Sequence, residues 1–286
     1  MRVLRLSRWA VVSSLAGLVV ALAGVAPLYG AEPGVTLQPG VLSIGSDMTY
    51  PPYTYLDRGK PAGFDPEFMA LMGRQLGLEP RFIDTRFANL VMGVNARRFD
   101  VVASVVYLTP ERTSQVDFLP YLKSGSSLMV RAGDAFSPLR PEELCGKRVA
   151  SLKGGSWIPR LVALSTDYCL ASGKTAIQSL EFPTSPEAAQ ALLAKAADVL
   201  FENAAVAKIT ADKLQGRIVI SSKELIFPVV VGLAVRKGNE ALLQELREGF
   251  SKMKRDGEYQ SLLARYNHAE PTEADVAHAL GAGPTL

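Results

Sequence analysis

Short runs rich in β-branched residues alternate with amphipathic segments through most of this chain, and that alternation constrains its fold most strongly. It is the pattern of βαβ units, in which helices cover the faces of a mainly parallel sheet. "VLSIGS" (Val41–Ser46) reads as a strand, residues 65–76 as a helix with Phe68, Met69, Met72 and Leu76 on one stripe, and "PRFIDT" as the next strand. Residues 87–97 read as a helix and residues 100–106, a continuous apolar run, as a fully buried strand. A second series starts after Pro120: "SSLMVRAG" extended, "KRVASLKG" a strand ending in glycines, residues 156–165 helical, and "TAIQSLEF" a strand. "SPEAAQALLAKA" follows as a helix with Ser185 as N-cap and Pro186 at N1, then "DVLFE" as a strand and residues 203–214 as a helix. "RIVISS" and "PVVVGLAVRKG" add two strands, and the periodic stretch 239–266 closes the fold as one or two helices. About 250 residues could form one large domain or two smaller ones.

The first 31 residues have the character of an export signal. Arg2, Arg5 and Arg8 precede an apolar run from Trp9 to Ala26, and the first acidic residue is Glu32. A membrane anchor is the rival reading, because the run approaches the roughly 20 residues that span a bilayer. The 31 basic residues less those three arginines leave 28, equal to the 28 acidic ones. The rest of the chain is therefore near neutral, without the clustered basic face that nucleic acid requires. Its two histidines, His268 and His278, lie in the tail, which argues against a Ser-His-Asp, Cys-His or histidine-based metal site in the body. Cys145 and Cys169 stand too far apart for a CxxC motif. In an exported chain a disulfide between them is expected, with two buried thiols as the alternative. Residues 268–286 read as a loosely held extension with one short helix after Thr272.

Four segments carry a more specific signal: "SDMTYPPYTY", "GKPAGFDPEFMALMGRQLG", "FDVVASVVYLTPERTSQVDFLPYLKSG" and "RDGEYQSLLARY". In this order and spacing they resemble the amino-acid-type, family 3 solute-binding proteins of ABC transporters, over residues 41–267. The resemblance implies a type II periplasmic binding protein fold: two Rossmann-like lobes joined by a two-strand hinge, with the ligand trapped in the cleft between them. Lobe 1 would comprise residues 41–125 and 228–267, and lobe 2 residues 126–227. It further implies a periplasmic receptor, monomeric and without a cofactor, that captures an amino acid or another small carboxylate and delivers it to a membrane permease.

The same resemblance assigns roles. Arg112 matches the arginine that binds the ligand carboxylate, and a permanently charged planar fork suits that partner. Thr109 as cap and Pro110 at N1 would add a helix N-terminus beside it. An exposed arginine, or one paired with Glu111 or Asp117, is the plainer reading. Tyr50 and Phe87 match the aromatic walls, and core packing would explain them as well. Asp47 matches an acidic position that reaches the ligand in some members, or it caps the turn before Tyr50. Gly154, Gly155 and Ser156 sit at a strand-to-helix junction able to clasp an anion, with Trp157 as cover or as packing.

Two departures bear on the ligand. In the stretch that begins at Ser104, Val105 stands where the family has glycine and Tyr107 where it has Ser or Thr. Asn203 stands where the family has the aspartate that pairs with an α-ammonium, unless a one-residue slip brings Glu202 there. Either Glu202 substitutes, or the ligand carries no α-ammonium. Two other readings remain: an exported enzyme resembling cyclohexadienyl dehydratase, and an accessory or sensory binding protein.

Overall fold

The computed structural model describes residues 35–281. The signal segment, residues 1–31, and the last five residues of the extension lie outside the described residues. In chain order, β1 (Val41–Ser46) leads through the small antiparallel sheet β2 (Thr49–Tyr50), β3 (Thr54–Asp57) and β4 (Lys60–Ala62) to α1 (Phe64–Leu76). Then follow β5 (Glu79–Asp84), α2 (Leu90–Asn95), β6 (Val101–Val102), α3 (Pro110–Thr113) and β7 (Val116–Arg131). The other half comprises β8 (Arg148–Leu152), α4 (Trp157–Leu164), β9 (Gln178–Phe182), α5 (Ser185–Leu193), β10 (Val199–Asn203), α6 (Ala204–Lys213) and β11 (Ile218–Ile220). β12 (Ile226–Arg236) returns the chain to α7 (Glu240–Arg255), α8 (Glu258–Tyr266) and α9 (Glu273–Ala279).

The main sheet has the order β5-β1-β6-β12-β7-β10-β8-β9, with β11 also on β7. β5, β1 and β6 run parallel, as do β10, β8 and β9. Between these two parallel sets lie β7 and β12, antiparallel to each other from Val116↔Arg236 to Ser126↔Ile226. The same two strands thus serve both α/β halves: β12 pairs β6 through Ala234 and Val235, and β7 pairs β10 from Ser126 onward. The α/β halves are what the alternation predicts, and the two connecting strands are what the resemblance implies. Cys145 and Cys169 are bonded, pinning the loop before β8 to the end of the α4 segment.

Burial explains why the elements form where they do. α1 buries Phe64, Phe68, Met69 and Met72 against α7, and its C-terminus is closed by Gly77 in the left-handed conformation. Phe99 is wedged between β1 and α2, and its ring lies 2.4 Å from the position a Cβ on Gly45 would take and 2.5 Å from that of Gly93. Only glycine fits at either position while that ring stays in place.

Five expectations are corrected. The run 100–106 is strand only at Val101–Val102, because at Val105 the backbone enters the left-handed region (φ 52) and leaves the ladder. The buried irregular stretch is satisfied piecemeal: Val105 N donates to Asp65 Oδ2, Leu108 N to Val230 O, and Val106 O accepts from Gly232 N. There is no break after Pro120, since β7 runs unbroken through Gly125. The helix expected over 87–97 is a 3-10 turn, Phe87–Asn89, followed by the short α2. The cap of α5 is Thr184, not Ser185: Thr184 is extended and forms a capping box with Glu187, and Ser185 and Pro186 sit inside the first turn. The extension is also tied down. Lys123 N donates to Ala269 O, Lys123 Nζ pairs with Asp275, and His268 stacks on Tyr53 with ring centroids 5.1 Å apart.

Candidate functional site

The buried stretch between β6 and α3 carries Ser104, Val105 and Tyr107, and α3 itself carries Arg112. α3 is a single turn of four residues, so it has little macrodipole to offer an anion. Its work is positional: the Thr109 hydroxyl accepts from Arg112 N (3.2 Å) and fixes the residue that bears the guanidinium. Arg112 Nη1 donates to Tyr107 O (3.0 Å) and Nη2 to Gly154 O (2.9 Å), a bond between the halves. The group stands 5.5 Å from the Phe87 ring centroid. Neither Glu111 nor Asp117 pairs with it: Asp117 is held by Lys237 Nζ and Gly238 N. Burial pulls the Arg112 pKa down to about 10, which leaves it a cation at neutral pH.

Opposite stands the junction of β8 and α4. Gly154 has φ 81, and a Cβ there would sit 3.3 Å from Ala88 Cα, so a glycine lets the two halves approach. Gly155 N is already used by Leu152 O, and Ser156, the residue before α4, makes no side-chain cap bond. Trp157 is 4% exposed, stacks on Phe201 at 5.5 Å and meets Tyr107 edge-on at 6.1 Å. Its Nε1 has no hydrogen-bond partner.

Glu202 and Asn203 end β10 in full burial. Asn203 Oδ1 accepts from Ala205 N and Val206 N, capping α6, and its Nδ2 donates to Tyr107 Oη (2.7 Å) and Ser124 Oγ (2.8 Å). Glu202 Oε1 accepts from Tyr50 Oη (2.6 Å) and Asn203 N (2.7 Å), and Oε2 from Ser185 Oγ. Burial raises the Glu202 carboxyl to about 7, although those bonds to its charged form pull the other way. The Tyr50 phenol is pushed well up, first by burial and then by Glu202. Tyr50 therefore touches the opposite half through its hydroxyl. Asp47 is a brace: Oδ1 accepts from Thr49 N and Thr49 Oγ1, Oδ2 from Phe87 N, Arg86 lies 3.1 Å away, and Ser104 Oγ accepts from Asp47 N.

Tyr50, Phe87, Val105, Tyr107, Arg112, Ser156 and Trp157 share the walls of an inner cavity of ≈ 10 Å³. Phe87, Arg112 and Ser156 also border an outer cleft of ≈ 620 Å³, which adds Gly154, Ile158, Pro159 and Arg160. Asp47, Ser104, Glu202 and Asn203 line neither. Four participants have no local signature in the sequence: Ser185 and Ser124, which bond Glu202 and Asn203, Phe201 beneath Trp157, and Arg160, over the Phe227 ring at 4.7 Å. Among the described residues no group of three His, Cys, Asp or Glu side chains is placed to hold a metal.

Residues 42–269 match the model of the bacterial extracellular solute-binding proteins, family 3. The L-cystine-binding protein TcyJ of Escherichia coli (strain K12) is 27% identical over 280 residues, 96% of this chain and 100% of that one. The arginine-binding protein ArgT of Corynebacterium glutamicum is 28% identical over 247 residues, 83% of this chain and 78% of that one. Among solved structures, an ancestral arginine-binding protein bound to arginine superposes with a TM-score of 0.72 at 28% identity, over 79% of this chain and 98% of that chain.

Proposed function

This chain belongs to the bacterial extracellular solute-binding proteins of family 3, and from that premise we propose that it is a periplasmic receptor holding a small carboxylate-bearing solute at Arg112 for uptake by an ABC transporter. The solute is an amino acid or a close relative of one, as the names of the relatives suggest. One observation carries the reading. Arg112 is held in place at the cleft by two carbonyls, with no salt bridge to a carboxylate among the described residues. A guanidinium so placed has N–H groups left for a planar bidentate acceptor.

The lobes are residues 41–125 with 228–267, and residues 126–227. The change of neighbour that β7 makes at Ser126 supports that division. Closure then brings Arg112 of one lobe against Gly154 of the other, so the carboxylate's two walls are complete only in the closed state. The receptor works as a monomer, performs no reaction, and hands its load to a membrane permease. Glu202 is the residue an acid-catalysed reaction would call on, and it lines neither cavity while three donors hold it.

The test is calorimetric titration of the ligand-stripped protein with L-cystine, L-arginine, L-histidine and a panel of small carboxylates. One solute should bind with one site per chain. Arg112→Gln should weaken it by about 100-fold or more, the usual consequence of leaving one buried charge alone. A panel without a single binder, or binding that survives Arg112→Gln intact, would sink the proposal.

A further inference from the structure

We infer that the solute is a carboxylic acid with an apolar body and no α-ammonium group, because the walls of this site offer hydrogen-bond donors and no free buried carboxylate; this rests on the carboxylate-receptor reading above. Three donors belong to residues that line the cavities. Arg112 uses two of its N–H groups on Tyr107 O and Gly154 O, from a guanidinium that has five. Trp157 Nε1 is buried at the inner cavity without a partner, a group that ordinarily finds one. The Ser156 hydroxyl borders both cavities and makes no cap bond.

Of the buried acceptors near them only the Ser126 hydroxyl, a neutral group, is without a partner, and both buried carboxylates are engaged. Glu202 receives Tyr50 Oη, Asn203 N and Ser185 Oγ. Asn203 Oδ1 receives two helix amides. Asp47 receives Thr49 through both its amide and its hydroxyl, and also Phe87 N, with Arg86 beside it. The acids that border the outer cleft, Glu111 and Glu181, are exposed, where water serves an ammonium equally well. An ammonium brought to the Arg112 wall would lose its hydration, find no free buried carboxylate and face a like charge. A carboxylate there finds Arg112, Ser156 and Trp157. Leu90, Val91, Ile158 and Pro159 give the remainder of the molecule an apolar wall in the outer cleft.

The experiment is titration of the stripped protein with matched compounds that differ only at the α position. L-phenylalanine would be compared with phenylpyruvate and 3-phenyllactate, and L-leucine with 4-methyl-2-oxopentanoate. In at least one set the ammonium-free acid should bind about 100-fold more tightly than its amino acid. Trp157→Phe should weaken that acid about tenfold, because the ring is kept and the indole N–H is lost. An amino acid that binds as tightly as its ammonium-free partner overturns this inference and leaves the carboxylate receptor standing. If neither member of any pair binds while L-cystine, L-arginine or L-histidine does, the inference fails alone. If none of these and no other carboxylate binds, both fail. An acid that binds equally well to Trp157→Phe removes the indole from the argument.

Discussion

Replacing Glu202 by Gln should make the protein less sensitive to rising pH, and the size of the effect follows from where the carboxyl sits. Glu202 is wholly buried, and that burial is the first cause of its shift. Its ordinary pKa of 4.5 rises to about 7 in the folded chain. Below 4.5 the group is neutral in both states, and its contribution to stability is fully present. As the pH climbs, the unfolded chain releases the proton first, and the folded chain loses about 1.4 kcal/mol per pH unit until its own carboxyl ionises near 7. The accumulated loss is about 3 kcal/mol, or about 6–12 °C in Tm for a chain of this size. The side-chain amide of Glu202→Gln would accept from Tyr50 and Asn203 N and donate to Ser185, as the protonated acid does, without a charge to bury.

The assay is Tm from pH 4.5 to 8 for the wild type and Glu202→Gln, read as a difference. Two other groups shape each raw profile. Asp65 is raised by burial to about 7 and adds a parallel fall with pH. His268 is lowered by burial to about 4, so its contribution is present above 6.5 and lost as the pH falls toward 4. Both cancel in the difference, which should grow by about 3 kcal/mol in favour of the variant between pH 4.5 and 8. A difference that stays flat would mean that Glu202 ionises in the folded chain as it does in water, and the reasoning from burial would be refuted.

Other outcomes follow from the same geometry. Cys145→Ser with Cys169→Ser should lower stability by about 3 kcal/mol, since the bridge spans 24 residues of separation; denaturant unfolding measures it, and an unchanged midpoint would contradict it. Val105→Gly should be tolerated at least about 2 kcal/mol better than Val231→Gly. Both lose a buried isopropyl group, but only Val105 escapes a left-handed backbone that disfavours β-branched residues; equal losses would rule out strain at 105. Truncation after Asn267 removes the His268 ring from Tyr53 and Phe64 and should lower stability by about 2 kcal/mol, visible in the melting curve.

What the sequence made legible follows from how local each signal is. β1 and α1 were readable to within a residue, because an alternation and a stripe are written in consecutive letters. Residues 100–106 were not, because continuous burial looks the same whether the amides pair in a ladder or with a distant carboxylate such as Asp65. The site divides the same way. Arg112 was named by the resemblance and Gly154 and Ser156 by a strand-to-helix junction, and all three line one cleft. Glu202 was readable as a candidate, but its bond to Tyr50 joins residues 152 apart, so nothing nearby says that its oxygens are occupied. Asn203 looked like a missing charge, and its carbonyl is the cap of α6. Ser185 looked like a cap, and it is a donor to Glu202.

The wedge of Phe99 between Gly45 and Gly93 reaches beyond packing into how this family member can diverge. An alanine at position 45 or 93 collides with the ring, and a smaller residue at 99 leaves a void between β1 and α2, so each single step loses stability. Taken together, a shrunken residue 99 and an enlarged residue 45 or 93 compensate each other. Drift at these sites is therefore epistatic: a lineage crosses from one arrangement to the other through a paired change, or keeps all three residues as they are.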